Sequence, residues 1–130
     1  MSAHPSYFSA TINYANVLLL QGQVTSALTV YDRALKVDKG RAGEALFGLR
    51  KIVAAEPGRL EARRLLINAL VHTGALKEAI AHIEAGIGEV GESDALLTSY
   101  HIIIDILKQD GQAEAAATLE RRIRQLQTGM

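Results

Sequence analysis

A glycine recurs along this 130-residue chain at intervals of 16 to 20 residues. That interval matches one short helix and one turn, and glycine accepts the left-handed backbone conformation that closes many helices. The ladder consists of Gly22, Gly40, Gly58, Gly74, Gly91, Gly111 and Gly129. The spacing therefore predicts an array of short stacked helices in which each glycine marks a helix end.

The segments between these glycines carry apolar residues with the period of an α-helix. In the fifth segment Leu76, Ile80, Ile83, Ile87 and Val90 follow one another at steps of three and four, which places them on one stripe. No segment alternates at period two for long enough to predict a strand. The sequence predicts one all-α domain of about seven antiparallel helices, with hairpins at about 7–38, 59–89 and 93–127 and an additional helix at about 41–56.

The first hairpin carries a recognisable pattern of small and large residues: Tyr14-Ala15, Leu18, Gly22, Ala27, Tyr31 and Ala34-Leu35. This pattern resembles one tetratricopeptide repeat, and the same frame returns around Gly74 and Gly111. The resemblance implies a right-handed helical-hairpin solenoid that binds other proteins. From Gly22 to Gly74 is 52 residues, however, whereas the family repeat is about 34. The excess equals one helix, the third, and the sequence leaves open whether that helix pairs with helix two or helix four.

The resemblance also implies a binding surface, because in this family the first helix of each hairpin lines a concave groove. Carried over to this sequence, the groove residues are Asn16, Leu19, Arg64, Asn68, His72, His101, Asp105 and Lys108. The first, fourth and seventh of these stand in register, six residues before the glycine of their hairpin. An asparagine amide donates to and accepts from a peptide backbone, and an arginine one turn away can hold a carboxylate.

Arg64 and Asn68 together resemble half of the carboxylate clamp by which some family members hold acidic C-terminal tails of chaperones. The other half departs from that pattern. Ile12 occupies the place beside Asn16, and helix six offers a histidine and Asp105, which would repel an acidic tail. The sequence therefore favours a peptide or helix groove of a different specificity over a full clamp.

The charges are unevenly distributed along the chain. Residues 1–31 contain no Asp, Glu, Lys or Arg, although the whole chain has 14 acidic and 14 basic residues. A terminal hairpin of a solenoid normally needs a polar outer face. Two interpretations follow: the hydroxyl and amide side chains suffice, or the face is covered by a second copy, a preceding repeat or a partner.

Composition narrows the classes of function. A net charge of zero gives no basic excess for nucleic acid or an acidic membrane surface. No apolar run approaches the roughly 18 residues of a membrane span, and no signal peptide is recognisable. The chain has no cysteine, which excludes disulfides and thiolate chemistry and is compatible with the cytoplasm. We expect a soluble, cytoplasmic protein.

Two patterns that suggest chemistry have simpler interpretations. Gly86, Gly88 and Gly91 spell G-x-G-x-x-G, but they follow an amphipathic helix and not the strand that a dinucleotide site requires. No two of the four histidines have the i, i+4 spacing of a metal pair. We therefore expect no enzyme activity, cofactor or metal.

The sequence supports two functions. The leading one is an adaptor, scaffold or chaperone-like module that binds a peptide or helix of a partner protein in its groove. The alternative is a self-associating structural segment, part of a longer repeat protein or a larger enzyme complex, that assembles through the uncharged N-terminal hairpin.

Overall fold

The computed structural model of the chain describes residues 5–37, 39–90 and 94–127. Within these ranges the backbone forms seven α-helices and one short 3-10 helix, and no strand. The helices are α1 (Pro5–Leu20), α2 (Val24–Val37), the 3-10 helix (Lys39–Ala45), α3 (Leu46–Ala55), α4 (Leu60–His72), α5 (Leu76–Val90), α6 (Asp94–Gln109) and α7 (Ala113–Gln127). The helical-hairpin solenoid expected from the sequence is confirmed.

Three glycines of the ladder turn the corners of three hairpins. Gly22, Gly74 and Gly111 have φ angles of 77°, 82° and 78°, the left-handed region that disfavours residues with a Cβ atom. At the first corner the Gly22 amide donates to the carbonyl of Leu19 at 3.0 Å, which satisfies a carbonyl at the end of α1.

The other glycines do not have this role in the described part of the chain. Gly40 lies inside the 3-10 helix, and Gly58 follows Pro57 in a turn without a positive φ. A proline cannot continue a helix, so α3 ends at Ala55. The prediction that each glycine marks a helix end is confirmed at Gly58, which lies in the turn between α3 and α4, and was wrong at Gly40. Gly91 and Gly129 lie outside the described residues.

Consecutive helices alternate between two layers. One layer contains α2, α4 and α6, in which α4 contacts both of its neighbours. The other layer contains α1, the 3-10 helix with α3, α5 and α7, and polar contacts link its members in order. Arg41 of the 3-10 helix donates to Ser9 of α1 at 2.8 Å. Further along, Arg50 of α3 pairs with Glu78 of α5 at 2.8 Å. At the end of the layer Glu84 of α5 pairs with Arg122 of α7 at 2.9 Å.

The additional helix predicted at 41–56 is two elements. Its first part is the 3-10 helix, bent at Arg41, which contacts α1, α2 and α4. Its second part, α3, packs against α4. The segment therefore packs against both of its neighbours: the 3-10 helix contacts α2, and α3 contacts α4. Because the 3-10 helix and α3 together occupy one position in the second layer, the first helices of the two flanking hairpins lie in opposite layers.

A buried arginine fixes the contact between α4 and α5. Arg63 is only 4% exposed, and its guanidinium donates to the carbonyl of Pro57 at 2.9 Å and of His82 at 3.1 Å. A Cβ atom at Gly86 would lie 2.5 Å from Arg63 Cδ. The first glycine of the G-x-G-x-x-G pattern therefore makes room for a structural arginine, inside helix α5.

Candidate functional site

A groove runs between α2, α4 and α6 and encloses a cavity of about 400 Å³. Its apolar lining comes from Leu35, Leu65, Ala69, Val71 and Ile102. Its polar lining comes from Asp32, Lys36, Arg64, Asn68, His72 and Ser99. Apolar surface with a few convergent polar groups is the usual composition of a binding site in proteins.

The polar groups of the groove differ in whether they already have partners. Asp32 and Lys36 form an i, i+4 ion pair at 3.2 Å along α2. Arg64 and Asn68 are partly exposed and make no side-chain hydrogen bond or ion pair within residues 5–37, 39–90 and 94–127. A guanidinium offers five donors and an amide offers both donors and an acceptor, so these two side chains have unused capacity for a ligand.

The structure brings together three of the eight residues predicted from the sequence. Arg64, Asn68 and His72 lie on successive turns of α4 and line the groove. Asn16 and Leu19 line a different cavity of about 430 Å³, which lies between α1 and α3. The reason is the alternation of layers, since the predicted register assumed that α1 and α4 share a layer.

Asn16 has a structural contact of its own. The buried hydroxyl of Tyr31 donates to its side-chain oxygen, and burial raises the pKa of Tyr31 to about 12, so the phenol stays a neutral donor. A Cβ atom at Gly48 would lie 1.9 Å from that hydroxyl. The three residues form one packed contact between α1, α2 and α3. Ile12, which stands one turn before Asn16, is buried in the core.

The three predicted residues of α6 are exposed and lie outside the groove lining. His101 and Asp105 are on the neighbouring stripe of the helix, and Lys108 instead pairs with Glu120 of α7 at 3.2 Å. The residues of α6 that do line the groove are Ser99 and Ile102, which stand one position from the predicted stripe. Successive residues of a helix are rotated by about 100°, so an error of one position is enough to move a predicted side chain out of the groove lining.

Sequence reasoning also missed Asp32 and Lys36, which α2 contributes to the groove. The prediction took groove residues only from the first helix of each hairpin, and α2 is the second helix of its hairpin. The sequence contained a signal for the position of α2, because the 52 residues from Gly22 to Gly74 exceed one family repeat by about one helix. One extra helix in that interval exchanges the layers of the helices that follow it.

The comparisons with known proteins agree with this architecture. Two family models described as tetratricopeptide repeat match the chain, one over residues 2–43 and the other over residues 36–97. The chain belongs to the tetratricopeptide repeat family, whose repeats are generally protein–protein interaction modules and are typically not catalytic. The searches of curated proteins and of solved structures found no match.

Two further findings concern the described residues alone. None of their helices is long and apolar enough to cross a membrane. In the same ranges no three His, Cys, Asp or Glu side chains are grouped so that they would hold a metal ion.

Proposed function

We propose that this protein is a non-catalytic adaptor that holds a segment of a partner protein in the groove between α2, α4 and α6. The observation that carries the proposal is the pair Arg64 and Asn68, which have no side-chain partner among the described residues and stand beside an apolar floor. In a family of protein-interaction modules, such a surface fits a peptide or a helix held by noncovalent contacts.

The lining favours a segment with one acidic group and one apolar side chain. Arg64 can receive a carboxylate with two parallel hydrogen bonds, whereas the charge of Lys36 is balanced by its ion pair with Asp32. Val71 and Ile102 offer an apolar contact, and Asn68 suits the backbone of the bound segment. Asp105 does not line the groove, so the repulsion expected from the sequence does not oppose an acidic ligand here.

The test is affinity capture from source-cell lysate with three forms of the chain. They are the wild type, an Arg64→Glu/Asn68→Ala variant, and an Arg124→Glu control that makes the same charge reversal at an exposed position of α7. Circular dichroism first confirms that all three have the same helicity. The proposal expects a protein that is retained by the wild type and the control and lost by the groove variant.

A second arm links the bound segment to Arg64. A peptide that contains the captured segment is compared with a version in which its acidic residue is replaced by the amide. We expect the replacement to weaken binding to the wild type by roughly 10- to 100-fold, the range for a charged hydrogen-bonded pair worth about 1.5–3 kcal/mol. The same replacement has little effect on an Arg64→Gln chain. Equal capture by wild type and groove variant contradicts the proposal.

A further inference from the structure

The exposed side of α1 carries three large apolar side chains next to the polar Asn13 and continues onto α3. We call it the α1 face and define it as Tyr14, Val17 and Leu20 of α1 with Phe47 of α3. These side chains are 57%, 48%, 82% and 69% exposed, respectively. They are four of the six large apolar side chains that are exposed among the described residues. A contiguous apolar surface of this kind marks an interaction site.

Helix geometry makes the α1 face continuous. Tyr14, Val17 and Leu20 follow one another at steps of three residues, so they form one stripe along the outside of α1. Leu20 and Phe47 line the cavity between α1 and α3 together. Tyr14 lines a second cavity of about 300 Å³ with Ala10 and Val30 at the other end of the stripe. A cavity thus lies beside each end of the face.

We infer that a second copy of this chain covers the α1 face, with the two α1 helices antiparallel about a two-fold axis near Val17. Leu20 and Tyr14 each lie about 4.5 Å along the helix from Val17. A two-fold axis there places Leu20 and Phe47 of each copy beside the Tyr14 cavity of the other. A symmetric dimer needs a surface that complements itself in this way.

The charge distribution favours a second copy over a charged partner. Residues 1–31, which include all of α1, contain no acidic or basic residue, so two α1 helices meet without like charges opposing each other. The nearest charged groups lie at the border of the face. Lys51, 4.9 Å from the centre of the Phe47 ring, and Glu56 both line the cavity beside Leu20 and Phe47. Arg33 lies at the edge of the Tyr14 cavity, so the rim carries charges of both signs. A charged rim around an uncharged centre is the usual anatomy of a protein interface.

The area is sufficient for a weak dimer. Aromatic side chains contribute about 150–250 Å² each when fully covered, so the exposed fractions of the four residues amount to roughly 450 Å² per copy. Two copies together with their flanking residues reach the ~1,000 Å² at which specific interfaces begin. The groove is lined by the other layer of helices, so a dimer through α1 leaves it open.

The test is sedimentation or light scattering of the purified chain over a wide concentration range, with Val17→Glu and, as a control, Ala85→Glu at an exposed position of α5. We expect a concentration-dependent dimer for the wild type and the control. Val17→Glu raises the dimer dissociation constant by about tenfold or more, because two carboxylates then face each other across the axis. Leu20→Glu, at the most exposed position, serves as the second variant if Val17→Glu loses helicity.

A mixing experiment identifies the symmetry. Val17→Glu and Val17→Lys are each expected to be monomeric alone and to form a mixed dimer when combined, since opposite charges then meet at the axis. A monomeric wild type at the highest concentrations overturns the inference, and so does a dimer that Val17→Glu leaves intact. A monomeric chain that instead binds a different protein through Val17 also overturns it.

Discussion

The substitution Gly86→Ala tests whether the buried arginine between α4 and α5 depends on the absence of a side chain. Replacing glycine by alanine inside a helix normally stabilises it by about 0.5–1 kcal/mol. At this position the new Cβ atom would lie 2.5 Å from Arg63 Cδ and 3.2 Å from a methyl group of Leu96. The guanidinium of Arg63 is fixed by hydrogen bonds to two carbonyls. Its side chain therefore cannot move away from the new methyl group without losing one of these hydrogen bonds.

The expected magnitude follows from what Arg63 would lose. A hydrogen bond from a charged group contributes about 1.5–3 kcal/mol, so losing one of the two outweighs the gain in helix propensity. We expect Gly86→Ala to lower the free energy of unfolding by about 1–2 kcal/mol. The assay is urea denaturation followed by circular dichroism at pH 7.

An Arg63→Ala background provides the decisive control. Removing the arginine lowers stability by itself, but it also removes the atom that the new methyl group meets. In that background Gly86→Ala is expected to stabilise the chain by about 0.5–1 kcal/mol, the ordinary effect in a helix. The reasoning is refuted if the substitution destabilises both backgrounds equally, or if it stabilises the wild type.

Three further predictions concern polar contacts of the core. Tyr100→Phe removes a 2.6 Å hydrogen bond to Glu84 and should lower the free energy of unfolding by about 1–2 kcal/mol in urea denaturation, whereas an unchanged value would contradict the contact. Asn16→Ala leaves the buried Tyr31 hydroxyl without its acceptor and should cost about 1 kcal/mol while partner affinity stays unchanged, and the reverse pattern would restore Asn16 to the binding surface. Burial, followed by a nearby arginine, lowers the pKa of His82, so the unfolded chain binds a proton more readily and stability falls as pH decreases through about 6.5. His82→Gln should flatten the stability profile between pH 7 and pH 5 in parallel melts, and an unchanged slope would assign the dependence to another group.

The helices themselves were predictable because their signal is local. Apolar periodicity and the glycines at positions 22, 74 and 111 depend only on residues within one or two turns. The segment expected at about 59–89 contains α4 and α5, which run from Leu60 to Val90 and so differ from it by one residue at each end. The 3-10 helix at Lys39–Ala45 was missed, since a tight helix and an α-helix have similar periodicity over seven residues.

The lining of the groove was only partly predictable, because it depends on how helices are arranged and not on their periodicity. Arg64 and Asn68 were predicted together since they share one helix face, and both line the groove. Asn16 was placed with them by analogy between hairpins. The analogy does not hold, because the 3-10 helix and α3 lie between α2 and α4 and put α1 and α4 in different layers. Predicting that Ile102 lines the groove would have required the rotation of α6 about its axis. That rotation is determined by how α6 packs against α4.

The most direct measurement of the central claim is site-specific photo-crosslinking in the groove. A benzophenone amino acid replaces Ile102, which is 44% exposed and lines the groove, and in a second chain it replaces Ala85 on the opposite layer. Both chains are irradiated in source-cell lysate, with and without Arg64→Glu. The account predicts a crosslinked partner protein from position 102 alone, and its loss when Arg64 is changed. A partner crosslinked equally from both positions, or one from position 102 that Arg64→Glu leaves unaffected, would contradict a binding groove between α2, α4 and α6.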